Sequence, residues 1–229
     1  MAGTLAALPD LLRLGGPVAA ILAAMSVFSL AVILAKLWQW GGVGDGRAAR
    51  TALALYRAGR GPQALETARG AAHPAAQALA VALEGRRRGL PDALARAEAE
   101  RVGAEAMEAL RDWLRPLEVI ATLAPLLGLF GTVLGMIAAF ARLEAAGARV
   151  DPAILSGGIW EALLTTAIGL AVAMPTVAAL NWFERRAERA EFALDHALSG
   201  VYAADLSVGA APGAAPMAAA QARPAPAAR

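Results

Sequence analysis

Apolar residues gather into three long runs along this chain. Residues 14–35 and 119–141 carry no charged side chain, and residues 152–183 carry one, Glu161. A helix needs about 20 apolar residues to cross a hydrocarbon core, so each run predicts a transmembrane helix. Segment 46–115 has another pattern. Its Ala, Leu, Glu and Arg favour helix, and Gly59, Gly61, Pro62, Gly70, Pro74, Gly85, Gly89 and Pro91 cut it into pieces. The longest piece, 91–113, spaces Leu94, Ala97, Val102, Ala106 and Leu110, with Leu114 beyond, mostly three or four residues apart. It is expected to continue the second span into the cytoplasm despite Pro116. Residues 207–229 are nearly all Ala, Pro and Gly. They bury too little side chain to offset the entropy of ordering and read as a disordered tail.

Composition agrees with lipid as the solvent. The chain of 229 residues is 58% hydrophobic and 17% charged, against roughly half and a quarter in soluble domains. The net charge of +2 makes no basic field for nucleic acid. With no cysteine, disulfides and thiolate metal sites are excluded. His73 and His196 lie outside the apolar runs, have no partner at metal-ligand spacing, and read as ordinary surface residues. No cofactor is expected. A cleaved signal peptide is the alternative reading of the first run. Against it stand the length of the apolar stretch, the single Arg13 before it, and an anchor-like Lys36, Trp38 and Trp40 behind it.

Orientation follows from the loops. Segment 41–115 carries twelve arginines, whereas the hairpin after the second span has only Arg142 and Arg149. Arg185, Arg186 and Arg189 follow the third span. Positive residues stay in the cytoplasm, so the amino terminus is expected outside and the carboxyl terminus inside. Trp38, Trp113 and Trp182 fall at cytoplasmic boundaries and Trp160 near the outer one, where amphipathic rings sit. The expected fold is an all-α membrane protein with three transmembrane helices and long helical cytoplasmic extensions. Its parts are a periplasmic 1–13, a span 14–38, a cytoplasmic helical loop 39–115, a span 116–141 and a periplasmic hairpin 142–154. A span 155–183, a cytoplasmic helical extension 184–206 and the tail 207–229 complete it.

Within the spans, small and polar residues are patterned. Gly128, Gly131 and Gly135 share one helical face and admit another helix closely. Ala162, Thr166, Gly169 and Ala173 form a similar stripe on the third span. Pro125 removes a backbone donor, which a membrane helix tolerates if neighbours serve the freed carbonyl; Pro175 joins this packing set. Counting from the cytoplasmic ends, Thr132 lies about 20 Å along its span and Thr166 about 24 Å along the other, with Glu161 about 32 Å deep. Thr132 and Thr166 can therefore meet at one level. For Thr122 and Thr165 a bond to the preceding turn is the simpler reading. A carboxylate in lipid faces a bundle interior or a wet cavity. Glu161 is thus either part of ion movement and pore integrity or a shallow carboxylate bonding a neighbouring helix.

These residues carry a resemblance. LAPLLGLFGTVLGMIAAF over 123–140 resembles the second-span motif of the ExbB/TolQ/MotA proton-channel family, and GGIWEALLTTAIGLAVAMP over 157–175 its third. Residues 26–38 are more loosely similar to its first span. The resemblance, nearest to ExbB, implies a pentamer in the bacterial inner membrane around the helices of a dimeric ExbD/TolR-like partner. Proton flow then drives relative rotation and energises a TonB- or TolA-like protein. It also implies that Thr132 and Thr166 match the pore threonines and Glu161 the third-span glutamate. Trp160 departs from the small residue often found before that glutamate. Threonine hydroxyls do not titrate in the biological range, so they line a path without shuttling charge alone. The family's partner carries the aspartate this chain lacks at mid-membrane.

Other classes fit less well. An intramembrane serine protease needs a base beside its nucleophile, and no histidine lies in a span with Ser26, Ser29 or Ser156. Neither an HExxH ligand set nor a phosphate-cradling Gly-x-x-x-x-Gly-Lys loop is present. The chain is therefore not expected to be an enzyme. A flagellar MotA-type stator would have a fourth span and a larger charged cytoplasmic domain. The alternatives to an ExbB-like role are a TolQ-type subunit and a passive scaffold.

Overall fold

The computed structural model of the protein describes residues 16–145 and 152–202. The expectations for the amino-terminal 1–13, for much of the hairpin and for the tail lie outside the described residues. Those residues form seven helices and no strand: α1 Gly16–Val43, α2 Arg47–Arg57, α3 Gly61–Arg69, α4 Pro74–Arg87, α5 Asp92–Arg111, α6 Leu114–Ala145 and α7 Pro152–Tyr202. Three helical stretches, Gly16–Arg57, Asp92–Ala145 and Leu155–Tyr202, are long and apolar enough to cross a membrane. The all-helical fold class with three candidate spans is therefore as the apolar runs predict.

The expected continuity of the second span with the helix before it is interrupted by two turn residues, Asp112 and Trp113. α5 ends at Arg111 and α6 begins at Leu114, with Trp113 between them at φ 66. In an unbroken helix the Pro116 ring would meet the carbonyl of Asp112. Breaking the helix puts Pro116 in the first turn of α6, where amides lack intrahelical partners anyway. The left-handed conformation of Trp113 is the strained consequence.

The chain divides into two compact units. The first comprises Met1–Asp45 and Ala104–Phe192, the second Gly46–Gly103 and Ala193–Arg229. In the first, α1, α6 and α7 meet on a core of Val18, Leu22, Ile120, Ala124, Val172 and Ala173, with Met25, Leu127 and Ile168 packed against it. Outside that core the helices stay apolar: Leu126, Leu129, Phe130, Val133, Ile137 and Phe140 of α6 are exposed. A patch of that kind marks a surface covered by lipid or another chain.

Two cations of this unit, Lys36 and Arg186, tie its helices together. Lys36 is 4% exposed, and its Nζ donates to Gln39 Oε1 at 2.8 Å and to the carbonyls of Leu110 at 3.1 Å and Ala109 at 3.5 Å. It thus serves the last turn of α5, whose carbonyls have no helical donor. The Arg186 guanidinium lies 5.5 Å from the Trp40 ring and 5.2 Å from the Trp182 ring. That cation–π stack ties the end of α1 to α7. Trp40 is buried there, not at an exposed boundary.

The second unit is a compact set of short helices with an alanine core, including Ala49, Ala52, Ala64, Ala68, Ala78 and Ala82, with Leu53, Leu65, Leu79 and Leu83 filling it. Its helices stop where the sequence supplies glycine. After α2 and α4, Gly59 (φ 77) and Gly89 (φ 71) turn left-handed. The Arg60 amide then donates to Leu55 and the Leu90 amide to Gly85, both at 3.0 Å or less, which closes the free carbonyls. His73 is the correction here. It is buried rather than a surface residue, because its Nδ1 accepts the Ala75 amide at 3.2 Å and caps α4. The arginine run at 86–88 is an ion-pair cluster. Arg87 and Arg88 grip Glu84 at 2.8 and 2.6 Å, and Arg69 reaches it at 3.0 Å. Arg86 instead donates to the Tyr56 hydroxyl at 2.6 Å and lies over the Tyr202 ring. Burial pushes the Tyr202 phenol above its usual range.

Candidate functional site

α6 and α7 approach each other along a seam of small residues, and glycine decides how closely. A Cβ at Gly169 would lie 2.6 Å from the Ala124 carbonyl and 3.0 Å from Gly128 Cα. One at Gly128 would lie 3.1 Å from the Thr165 carbonyl, and one at Gly135 would lie 2.9 Å from Ala162 Cβ. Gly158 packs likewise against Ala139. The helices therefore meet backbone to backbone from Ala124 to Ala139, a contact that larger side chains would prevent. Gly158 belongs to this seam although its sequence context did not single it out. The i, i+3, i+7 spacing that flagged the glycines of α6 extends to Ala124 and Ala139 and could have located it.

The seam places its hydroxyls on carbonyls. Thr166 Oγ1 donates to Gly128 O across the helices at 3.0 Å. Thr165 is 3% exposed; its Oγ1 lies 2.7 Å from Ala162 O in its own helix and 3.3 Å from Gly128 O. The local bond expected of Thr165 is present, and an interhelical one accompanies it. Thr122 bonds the Glu118 carbonyl at 3.0 Å, within its own helix. Thr132 sits one turn beyond Gly128, half-buried, and its hydroxyl donates back to Leu129 O at 2.6 Å. The structure thus brings Thr166 and Thr132 to the same turn of α6 while each hydroxyl engages a different carbonyl.

Glu161 lies one turn before Thr165 on α7, half-buried, and no residue among those described pairs with it. Its neighbour Trp160 is 66% exposed, and Ala162 packs on Gly135. Pro125 and Pro175 lie inside α6 and α7 without ending them. Each missing amide frees a carbonyl one turn earlier, which neighbours must serve in an apolar medium. Among the described residues no group of three His, Cys, Asp or Glu could hold a metal ion. Chemically the seam can present hydroxyls and carbonyls beside one unpaired carboxylate. That set offers oxygen atoms of the kind a small hard cation takes as ligands.

Comparison with known proteins agrees with this geometry. Over 88 residues the chain is 41% identical to the biopolymer transport protein exbB1 of Vibrio cholerae, covering 38% of this chain and 39% of that protein. The Tol-Pal system protein TolQ of Haemophilus influenzae is 39% identical over 85 residues, 37% of each chain. A longer match joins it to the putative biopolymer transport protein ExbB-like 3 of Synechocystis, 30% identical over 174 residues, or 74% of this chain and 81% of that one. The matched stretch thus spans well under half of the first two relatives and most of the third. Residues 70–195, which contain the whole α6–α7 seam, match the MotA/TolQ/ExbB proton channel family, and the chain belongs to that family.

Proposed function

We propose that this chain is an ExbB-like subunit of a proton-driven motor in the bacterial inner membrane. With an ExbD-like single-span partner it energises TonB-dependent transport across the outer membrane. Its amino terminus lies outside and its carboxyl terminus inside, and copies assemble around the partner as a pentamer. One observation carries the reading: an interhelical hydroxyl, Thr166 on Gly128 O, sits in a glycine seam one turn past an unpaired Glu161. Such a carboxylate in a membrane helix is costly unless it faces a path or a partner. Thr132, Thr166 and Glu161 line that path, while Gly128, Gly131, Gly135, Gly169, Pro125 and Pro175 shape the helices around it. The mid-membrane carboxylate that carries the proton belongs to the partner.

A TolQ-type role in envelope maintenance is the second reading, favoured by the similarity to the Haemophilus influenzae protein of that name. The partner that co-purifies with the chain separates the two. The ion-path reading is tested with Thr166→Val and Glu161→Gln, co-expressed with the neighbouring partner gene. Loss of energy-dependent uptake from a complex of normal size is the expected result. Normal uptake in both variants leaves a passive scaffold and sinks the assignment.

A further inference from the structure

The carbonyl of Gly128 faces more donors than it can accept. A carbonyl oxygen has two lone pairs, and in the regular pattern of α6 one takes the Thr132 amide. Two hydroxyls from α7 approach the other, Thr166 at 3.0 Å and Thr165 at 3.3 Å. Thr165 also has an acceptor in its own helix, Ala162 O at 2.7 Å. A hydroxyl carries one proton, so Thr165 donates fully in one direction at a time. Two arrangements therefore leave Gly128 O served. In one, Thr166 holds Gly128 and Thr165 holds Ala162. In the other, Thr165 holds Gly128 and the Thr166 hydroxyl is released.

We infer that Thr165 is a positioning residue that takes over the Gly128 carbonyl whenever Thr166 turns its hydroxyl away. Thr166 can then meet a water, a cation or a partner carboxylate without leaving a buried acceptor bare, which is the costly event in an apolar seam. The Ala162 carbonyl that Thr165 relinquishes keeps its own helical amide. Gly131 makes room for this exchange: a Cβ there would lie 2.6 Å from Thr165 Oγ1, so any larger residue would push the hydroxyl aside. The inference rests on the proposed ion-path role of Thr166 and adds to it the group that permits its release.

The test uses the full chain assembled with its partner and reads energy-dependent transport together with complex size. Thr165→Val keeps the shape and removes the hydroxyl, Thr165→Ala removes both, and Thr165→Ser restores the hydroxyl. Intact complexes with transport reduced about tenfold in Val and Ala are expected, the effect of one such hydrogen bond on a rate, and Ser recovers most of it. The Val effect disappears in a Thr166→Val background, because no hydroxyl remains to be released. Full transport in the Val or Ala variant overturns the inference, as does a Ser variant as slow as Val. Failure of Val and Ala alike to assemble also overturns it, since the hydroxyl then belongs to packing alone. Full transport in Thr166→Val by itself sinks the ion-path reading and this inference together. A slow Thr166→Val beside a normal Thr165→Val removes only the inference.

Discussion

Glu84 shows what single side chains contribute outside the membrane spans. Hydrogen bonds from Arg87, then Arg88, hold its carboxyl down from 4.5 to about 2. The unfolded chain therefore binds the proton more readily than the folded one. The contribution of Glu84 is complete above its ordinary value and is lost as pH falls through about 2. Wild-type protein in detergent should lose melting temperature on acidification through that window, and Glu84→Gln should start lower at neutral pH and lose less. Parallel acid profiles for the two would show that the arginines grip nothing of consequence. Arg86, Arg87 and Arg88 are consecutive in the sequence. That Glu84 gathers two of them plus Arg69 from another helix was not legible in it, because only packing brings Arg69 there. His73 was misread for the same reason: a histidine before a proline is a helix cap or a surface residue according to what lies above it.

At the scale of helices, the glycines differ by what faces them. Gly169 meets backbone, which cannot move aside, whereas nothing lies within 4 Å of a Cβ at Gly157. Gly169→Ala should therefore destabilise the purified protein by about 1–3 kcal/mol through overpacking. Gly157→Ala should be neutral or raise stability by up to about 1 kcal/mol, since alanine loses less backbone entropy in a helix. Thermal melting in detergent measures both, and equal shifts would contradict the seam. The three glycines of α6 were legible as a shared face. Their partners were only partly so, because an antiparallel register between two helices depends on a connection the periodicity does not describe. The break at Trp113 was hidden by an apolar spacing that ran on to Leu114, and the clash of the Pro116 ring with the preceding turn decided it.

For the whole molecule, the arginine bias is the basis of the proposed orientation, with the segment between the first two spans inside and residues 142–154 outside. The cysteine-free sequence makes this directly testable. In intact cells, an Ala148→Cys variant should react with a membrane-impermeant thiol reagent, and Ala71→Cys should react only after lysis. The reverse pattern would invert the topology and put the carboxyl terminus outside.

Length and polarity of the three apolar runs determined by themselves that the described residues are all-helical, with three helices long and apolar enough to span a membrane. Helices and closed β-barrels alone satisfy every backbone group in hydrocarbon, and an unbroken apolar run of about 20 residues has the length of a spanning helix and not of a barrel strand, so no tertiary information was required. Two long motifs in order also carried the family, as the match over residues 70–195 bears out. Tertiary structure alone decided which carbonyl each threonine addresses. Thr165 and Thr166 are adjacent in sequence and point about 100° apart around a helix, yet both hydroxyls come within 3.3 Å of Gly128 O. That convergence arises because glycine on α6 lets the two backbones close until one carbonyl lies within reach of both side chains, a distance that no spacing along a single chain encodes.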